Sequence, residues 1–317
     1  MLSGFTYQAD EAIHIKSQFA PLASTVLVAM LFIFNVLDAT AARNEHRPVC
    51  SDDGSRLIYM MQTRQTDDDW ELYMIELDSQ VHSRLTSHPG WDGYVVWSPD
   101  GTKIIFDRED SPGKLKRPWI MDLEGRTSRP LGKYEGWVSV TDWSDDDRLL
   151  GFQELNGQRD LILLDVAGNI VEKITETMDQ SEHDAHFSPD DQEIAYANGD
   201  IEGSKTSLEL IDLENGNRTV LRTSIGKIYG ISWSPDGEQI AFVDAPDVDN
   251  DDVDIFSYST GEQTFRQVTD DPSVDHMPMF CNDSKTLFFT SFRSGEERMY
   301  RIDPDPRPFL KIERARN

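Results

Sequence analysis

The chain has 317 residues and carries 58 Asp and Glu against 30 Lys and Arg, a formal net charge of −28. That balance excludes nucleic acid as a partner, because phosphate binding needs clustered basic surface that releases counterions. Hydrophobic residues make up 38% and aromatics 10%, enough for a core, and two cysteines exclude both a disulfide-dense miniature and a four-cysteine zinc site.

Reading from the N-terminus, residues 21–37 (PLASTVLVAMLFIFNVL) are almost wholly apolar and run into Asp38-Ala39-Thr40-Ala41-Ala42. An apolar stretch ending in small residues spaced A-x-A predicts a secretory signal cleaved after Ala41. If retained, a segment of this length reaches the lower limit for spanning a bilayer. Residues 1–41 are therefore read as signal peptide or membrane anchor, with membrane contact only through that anchor. The protein is expected to be exported, either periplasmic or held at the cell envelope.

Residues 42–317 repeat. Cys50-Ser51-Asp52-Asp53-Gly54 is followed by Trp97-Ser98-Pro99-Asp100-Gly101, Trp143-Ser144-Asp145-Asp146-Asp147, Phe187-Ser188-Pro189-Asp190-Asp191, Trp233-Ser234-Pro235-Asp236-Gly237 and Phe280-Cys281-Asn282-Asp283-Ser284. The anchors at 50, 97, 143, 187, 233 and 280 lie 47, 46, 44, 46 and 47 residues apart. In each unit an anchor strand enters a turn that reads Ser-Pro-Asp-Gly in the second and fifth units and a looser copy of it in the others, where Pro and Gly, when present, supply the turn dihedrals. A β-rich run such as KIIFD, EIAYA or QIAFV follows, then a polar loop, a third strand such as DLILLDV or SLELIDL, and a short turn into a fourth. Nothing in this region carries a sustained helical period. Six units of about 45 residues, four strands each, predict an all-β six-bladed propeller of four-stranded antiparallel blades.

The pattern resembles the TolB-type, WD-like propeller repeat of secreted bacterial proteins, over roughly residues 45–312. Val268–Asp303, with QVTDDPSVDHMPMF and TLFFTSFRSGEERMYRID, is its closest copy. The resemblance is to the propeller half of TolB, without the α/β domain that precedes it there. It implies a fold far more specifically than a function.

In such a ring the first strand of each unit lines the central channel. Five residues before the anchors stand Glu45, Asp92, Val138, Glu182, Ile228 and Asp275, and four before stand His46, Gly93, Ser139, His183, Tyr229 and His276. Three acid–His pairs thus fall at equivalent positions: Glu45-His46, Glu182-His183 and Asp275-His276. Neutral imidazoles beside carboxylates make His46, His183 and His276 candidate ligands for a divalent metal. The alternative is that the pattern locks the loops between blades. Trp91, Trp137 and Tyr229 are the aromatics placed to reach a ligand at the channel mouth. Asp247, Asp249 and Asp251 alternate as calcium-binding oxygens do, but Asp252 and Tyr258 stand where an EF-hand has Gly and Glu. Cys50 and Cys281 sit in the first and last repeats, neighbours in a closed ring, and form the candidate disulfide.

The sequence contains no G-x-S-x-G elbow, phosphate-binding glycine loop or H-E-x-x-H helix. The expected function is therefore a non-catalytic protein- or peptide-binding module acting through its channel mouth, with a basic segment as the guest suggested by overall charge. The alternative is a metal-dependent lyase or hydrolase acting on polysaccharide or peptide.

Overall fold

Five of the six anchor turns are built by the same atoms. In the second repeat Ser98 Oγ donates to Asp100 Oδ1 at 2.7 Å and accepts from Lys103 N at 2.9 Å, while Thr102 N donates to Asp100 Oδ1. Ser51–Asp53, Ser144–Asp146, Ser188–Asp190 and Ser234–Asp236 repeat the first of these bonds. The fourth residue after each anchor adopts a left-handed backbone: Gly54, Gly101, Asp147, Asp191, Gly237 and Ser284, with φ between 54° and 72°. Such a turn reverses the chain in a few residues and sets each second strand antiparallel to its first.

The computed structural model describes residues 44–63, 69–111, 113–200, 205–245, 253–302 and 310–311, all within the compact unit Ala42–Asn317. The leader and Asp247, Asp249 and Asp251 lie outside the described residues. The first blade contains β1 (Glu45–Cys50), β2 (Arg56–Gln62), β3 (Trp70–Glu76) and β4 (Val81–Arg84). The second has β5 (Asp92–Trp97), β6 (Lys103–Arg108), β7 (Arg117–Asp122) and β8 (Thr127–Pro130). The third has β9 (Trp137–Trp143), β10 (Arg148–Leu155), β11 (Gln158–Asp165) and β12 (Ile170–Lys173). The fourth has β13 (Gln180–Phe187), β14 (Glu193–Asp200), β15 (Thr206–Asp212) and β16 (Arg218–Ser224). The fifth has β17 (Lys227–Trp233), β18 (Gln239–Ala245), β19 (Asp254–Ser259) and β20 (Thr264–Gln267). The sixth has β21 (Asp275–Phe280), β22 (Leu287–Ser291), β23 (Arg298–Ile302) and β24 (Leu310–Lys311). Each blade is one four-stranded antiparallel sheet of consecutive strands, the all-β six-bladed propeller expected.

The core is six apolar layers, one between each pair of neighbouring blades. β2 shows why the second strands read as unbroken apolar runs. Its Ile58 and Met60 pack with Trp91, Trp97 and Phe106 of the second blade, while Leu57, Tyr59 and Met61 pack with Phe288 and Met299 of the sixth. Both faces of a blade are covered, so strand alternation sorts apolar residues between two partners instead of between core and water. The Trp and Phe anchors belong to these layers: Trp97 is buried and its Nε1 donates to Val49 O at 3.1 Å across the blade boundary.

No strand is exchanged between the ring's ends among the described residues. The seam between the sixth and first blades is closed by the Leu57–Phe288 layer, by Asn282 Nδ2 donating to Asp53 O at 2.9 Å, and by a disulfide joining Cys50 to Cys281 with Cα atoms 5.4 Å apart. Cys281 follows the last residue of β21, so the alternation that turns neighbouring side chains apart along a strand does not govern it.

Candidate functional site

Five of the six first strands break their register at one place. His46 pairs with Met60 while Val49 pairs with Ile58, so Arg47 and Pro48 together oppose a single residue. The same slip falls after Gly93, His183, Tyr229 and His276. At each, the residue three before the anchor is left-handed: Arg47 (φ 52°), Tyr94 (53°), Asp184 (47°), Gly230 (63°) and Met277 (51°). Holding a side-chain-bearing residue there costs about 1 kcal/mol or more, and such strain gathers where a side chain must be aimed. Pro48 and Pro278, which cannot donate to a ladder, sit in two of these bulges, so the acid–His-x-Pro pattern is a bulge signature. β9 differs, with a single extra residue at Thr141.

The bulges turn Arg47, Tyr94, Asp184, Gly230 and Met277 into the channel. There, with Trp137, Phe152, Arg159 and His183, they line a cavity of about 200 Å³. Arg47 spans it: Nη2 lies 3.3 Å from Asp184 Oδ1, and the guanidinium carbon lies 4.6 Å over the Tyr94 ring. Burial would raise the Asp184 pKa, but Arg47 above all, with His183, the Gly230 amide and His186, holds it down to about 2. Two further cations join this wall. Lys116 Nζ stands 3.6 Å from the Trp91 ring centre and 5.2 Å from that of Tyr94. Arg159 lies 4.9 Å over Trp137 while bonding Glu154 at 2.7 Å. A cation on an aromatic face keeps its donors available while the ring stabilises its charge. Towards the anchor turns the channel opens into a second cavity of about 520 Å³, where Asp52, Asp142, Asp145 and Asp191 gather. Burial, then Asp142 and Asp145, pushes Asp52 up to about 6.

Asp107 lies behind the aromatic wall, accepting from Trp137 Nε1 at 3.3 Å. Burial pushes its pKa up to about 7 against the bonds from Ser139 and Trp137. Its folded pKa thus exceeds its unfolded value, so folding takes up a proton between about pH 4 and pH 7. Stability falls as pH rises through that window, and the penalty is complete above it. An Asp107→Asn variant should match wild type near pH 4 and exceed it at pH 8 by at most about 4 kcal/mol in urea titrations. Parallel pH profiles would sink that assignment.

The structure places the other residues singled out from sequence as follows. Glu45, Asp92, Glu182 and Asp275 do not face the channel mouth; all four are buried. Arg108 grips Asp92 with Nε and Nη2 at 2.7 and 2.8 Å, Arg293 pairs with Asp275, and Thr177 Oγ1 donates to Glu182 at 3.0 Å. The Asp92–Arg108 pair joins the first two strands of its blade, while Arg293 and Thr177 fasten loops to Asp275 and Glu182. Trp91 is buried beneath Lys116, and Tyr229 packs beside Val268 and Val274 with its hydroxyl pushed up to about 12, chiefly by burial. Trp137 and His183 line the cavity.

His46 and His276 come together without His183. Their ring centres are 5.1 Å apart, and both reach Glu297 Oε1, His46 Nδ1 at 2.6 Å and His276 Nε2 at 3.0 Å. Burial lowers the His46 pKa against the raising effect of Glu297. Burial works to raise Glu297, yet the two histidines hold it down to about 2. Sequence reasoning missed Glu297, which lies in the variable polar loop before the third strand of its blade, where the repeat prescribes no residue type. It also missed the third position before the anchor, although Gly230 within a strand marks a bulge.

The bulged first strands thus bring strained residues, cations and aromatic faces together around one axial cavity. The family profile described as the TolB β-propeller domain (PD40) matches residues 178–312. TolB from Acinetobacter baumannii superposes with a TM-score of 0.64 at 16% identity, over 83% of this chain and 61% of that one. An oligogalacturonate lyase solved in complex with manganese superposes with a TM-score of 0.56 at 18% identity, over 83% and 90% of the two chains. Dipeptidyl-peptidase 5 of Porphyromonas gingivalis is 23% identical over 82% of this chain and 39% of its own length. The chain folds as a six-bladed propeller like that of TolB, and its residues 178–312 match the TolB propeller profile. It spans well under two thirds of the curated relatives it matches, and likenesses at these identities carry the fold alone.

Proposed function

We propose that the protein is an exported, non-catalytic binding propeller that takes an acidic segment of a protein or peptide into its channel mouth. The observation that carries this reading is the convergence of Arg47, Lys116 and Arg159 on the Tyr94–Trp91–Trp137 face. The chain is strongly acidic, yet three of its few cations meet there, two of them at the strained or cavity-lining positions. Overall charge points to a basic guest; local charge at the cavity favours a carboxylate, which an arginine fork can grip with two parallel bonds. Fluorescence anisotropy with labelled hexapeptides should show an acidic peptide binding and its amidated, Gln-substituted counterpart binding at least about tenfold more weakly, with Lys116→Ala costing a similar factor. Equal or tighter binding of a basic peptide would overturn the reading.

A second reading, a metal-dependent lyase or hydrolase, draws on the His46–His276–Glu297 cluster and on the fold shared with the manganese-bound lyase. Turnover of an oligogalacturonate in manganese, abolished by chelation, would favour it.

A further inference from the structure

His46, His276 and Glu297 form, among the described residues, the one group of three metal-competent side chains whose ligand atoms all lie within 4.8 Å of one another. They do not line the axial cavity; they stand on the seam where the ring closes. His46 comes from β1 of the first blade, while His276 in β21 and Glu297 just before β23 come from the sixth. Their side chains are only 20%, 12% and 7% exposed. Trp70 meets the His46 ring at 5.8 Å and Phe292 meets that of His276 at 6.0 Å, so the group has apolar walls.

We propose that these three residues bind a divalent transition-metal ion of the zinc class that clasps the first blade to the last. Two imidazoles and one carboxylate are a ligand set suited to such an ion and leave a fourth position for water. Ligand atoms about 2.0–2.1 Å from a tetrahedral ion sit roughly 3.3 Å apart. Here the carboxylate oxygen already lies 2.6 and 3.0 Å from the two ring nitrogens and all three ligand atoms lie within 4.8 Å of one another, so an ion enters by replacing the two contacts to Glu297 with local side-chain adjustment. The backbone is set for it: Glu45 N donates to Glu297 O at 3.1 Å, and Arg47 N to Thr290 Oγ1 at 3.3 Å, each bond crossing the seam beside a ligand. The Cys50–Cys281 disulfide fixes the opposite end of β1. With no strand exchanged among the described residues, the ring is fastened covalently at one face, and the metal fastens the other.

Isothermal titration of the metal-stripped full chain with zinc chloride should show one site per chain. Glu297→Gln, which keeps both histidines and a hydrogen-bonding oxygen, should weaken zinc binding by more than about a hundredfold, the upper end for changes even one shell further out. Its metal-free melting temperature should fall, because Glu297 bonds both histidines, so the comparison is the zinc-dependent rise of each variant above its own metal-free value. Zinc should raise the melting temperature of wild type, and raise that of a Cys50→Ser Cys281→Ser variant more, because there the ion is the remaining fastener. No stoichiometric zinc binding would overturn the site, as would binding that survives Glu297→Gln and His276→Ala. Zinc bound at this site without any shift in the disulfide-free variant would overturn its role as a clasp. None of these outcomes depends on what occupies the channel.

Discussion

A Cys50→Ser Cys281→Ser variant is expected to lose roughly 5 kcal/mol of stability, the largest effect of any pair of substitutions considered. The bond joins residues 231 apart. Cross-linking so long a loop removes much of the unfolded chain's freedom, and loop-closure entropy gives about 5 kcal/mol for this length. Delivered values fall short when the unfolded state is already compact, so half that figure would still support the assignment. The loss should also have an address. Without the bond the seam rests on the Leu57–Tyr59–Phe288–Met299 layer and a few hydrogen bonds, so amide exchange should rise first in β1 and β21. Uniform destabilisation across all six blades would contradict the seam as the weak point. Urea denaturation of oxidised and reduced wild type supplies the same comparison without mutation.

Removing one arginine should cost nearly as much. Asp92 is fully buried, and both its oxygens are held by Arg108. Arg108→Met leaves that carboxylate uncompensated, a change worth about 3–5 kcal/mol. The companion double variant, Asp92→Asn with Arg108→Met, should recover a substantial part, because the charge that burial penalises is gone. The contrast separates a structural pair from a ligand site: were Asp92 a channel-mouth contact, Arg108→Met would weaken guest binding and leave the denaturation midpoint in place. Arg108 also covers Trp119 at 4.6 Å, and methionine retains some of that contact.

The fold was legible because it is written six times. The anchor spacing gives the blade count, and an Asp-bearing polar turn followed by an apolar run gives the first hairpin of each blade. The site was only half legible, for a geometric reason. Counting back from an anchor assumes regular alternation, but the bulges add a residue, so side chains three before the anchor enter the channel, while the acids five before it are buried away from it and, of the three histidines four before it, only His183 reaches the cavity. The three equivalent histidines therefore do not form a ring around the axis. Only blades that touch can bring such positions together, which unites His46 with His276 and leaves His183 on the far side, near Asp184 and His186. Net charge does not report local distribution: the axial cavity sets Arg47 and Arg159 beside an ionised Asp184, while Asp52, Asp142, Asp145 and Asp191 gather in the adjoining cavity.

Contiguous blades also dictate an order of assembly. Each four-stranded sheet is complete as soon as its own forty-odd residues exist, so contacts within a blade are local and form quickly. As the chain is synthesised, each new blade covers the exposed face of the one before. The first blade has no such relief: Leu57, Tyr59 and Met61 stay bare until β22 and β23 arrive, more than two hundred residues later. For that interval the growing molecule is an open arc with one uncovered apolar edge, the form most prone to associate with its own kind. A chain interrupted before the sixth blade should accumulate in aggregates, while one lacking only its last strand should remain soluble.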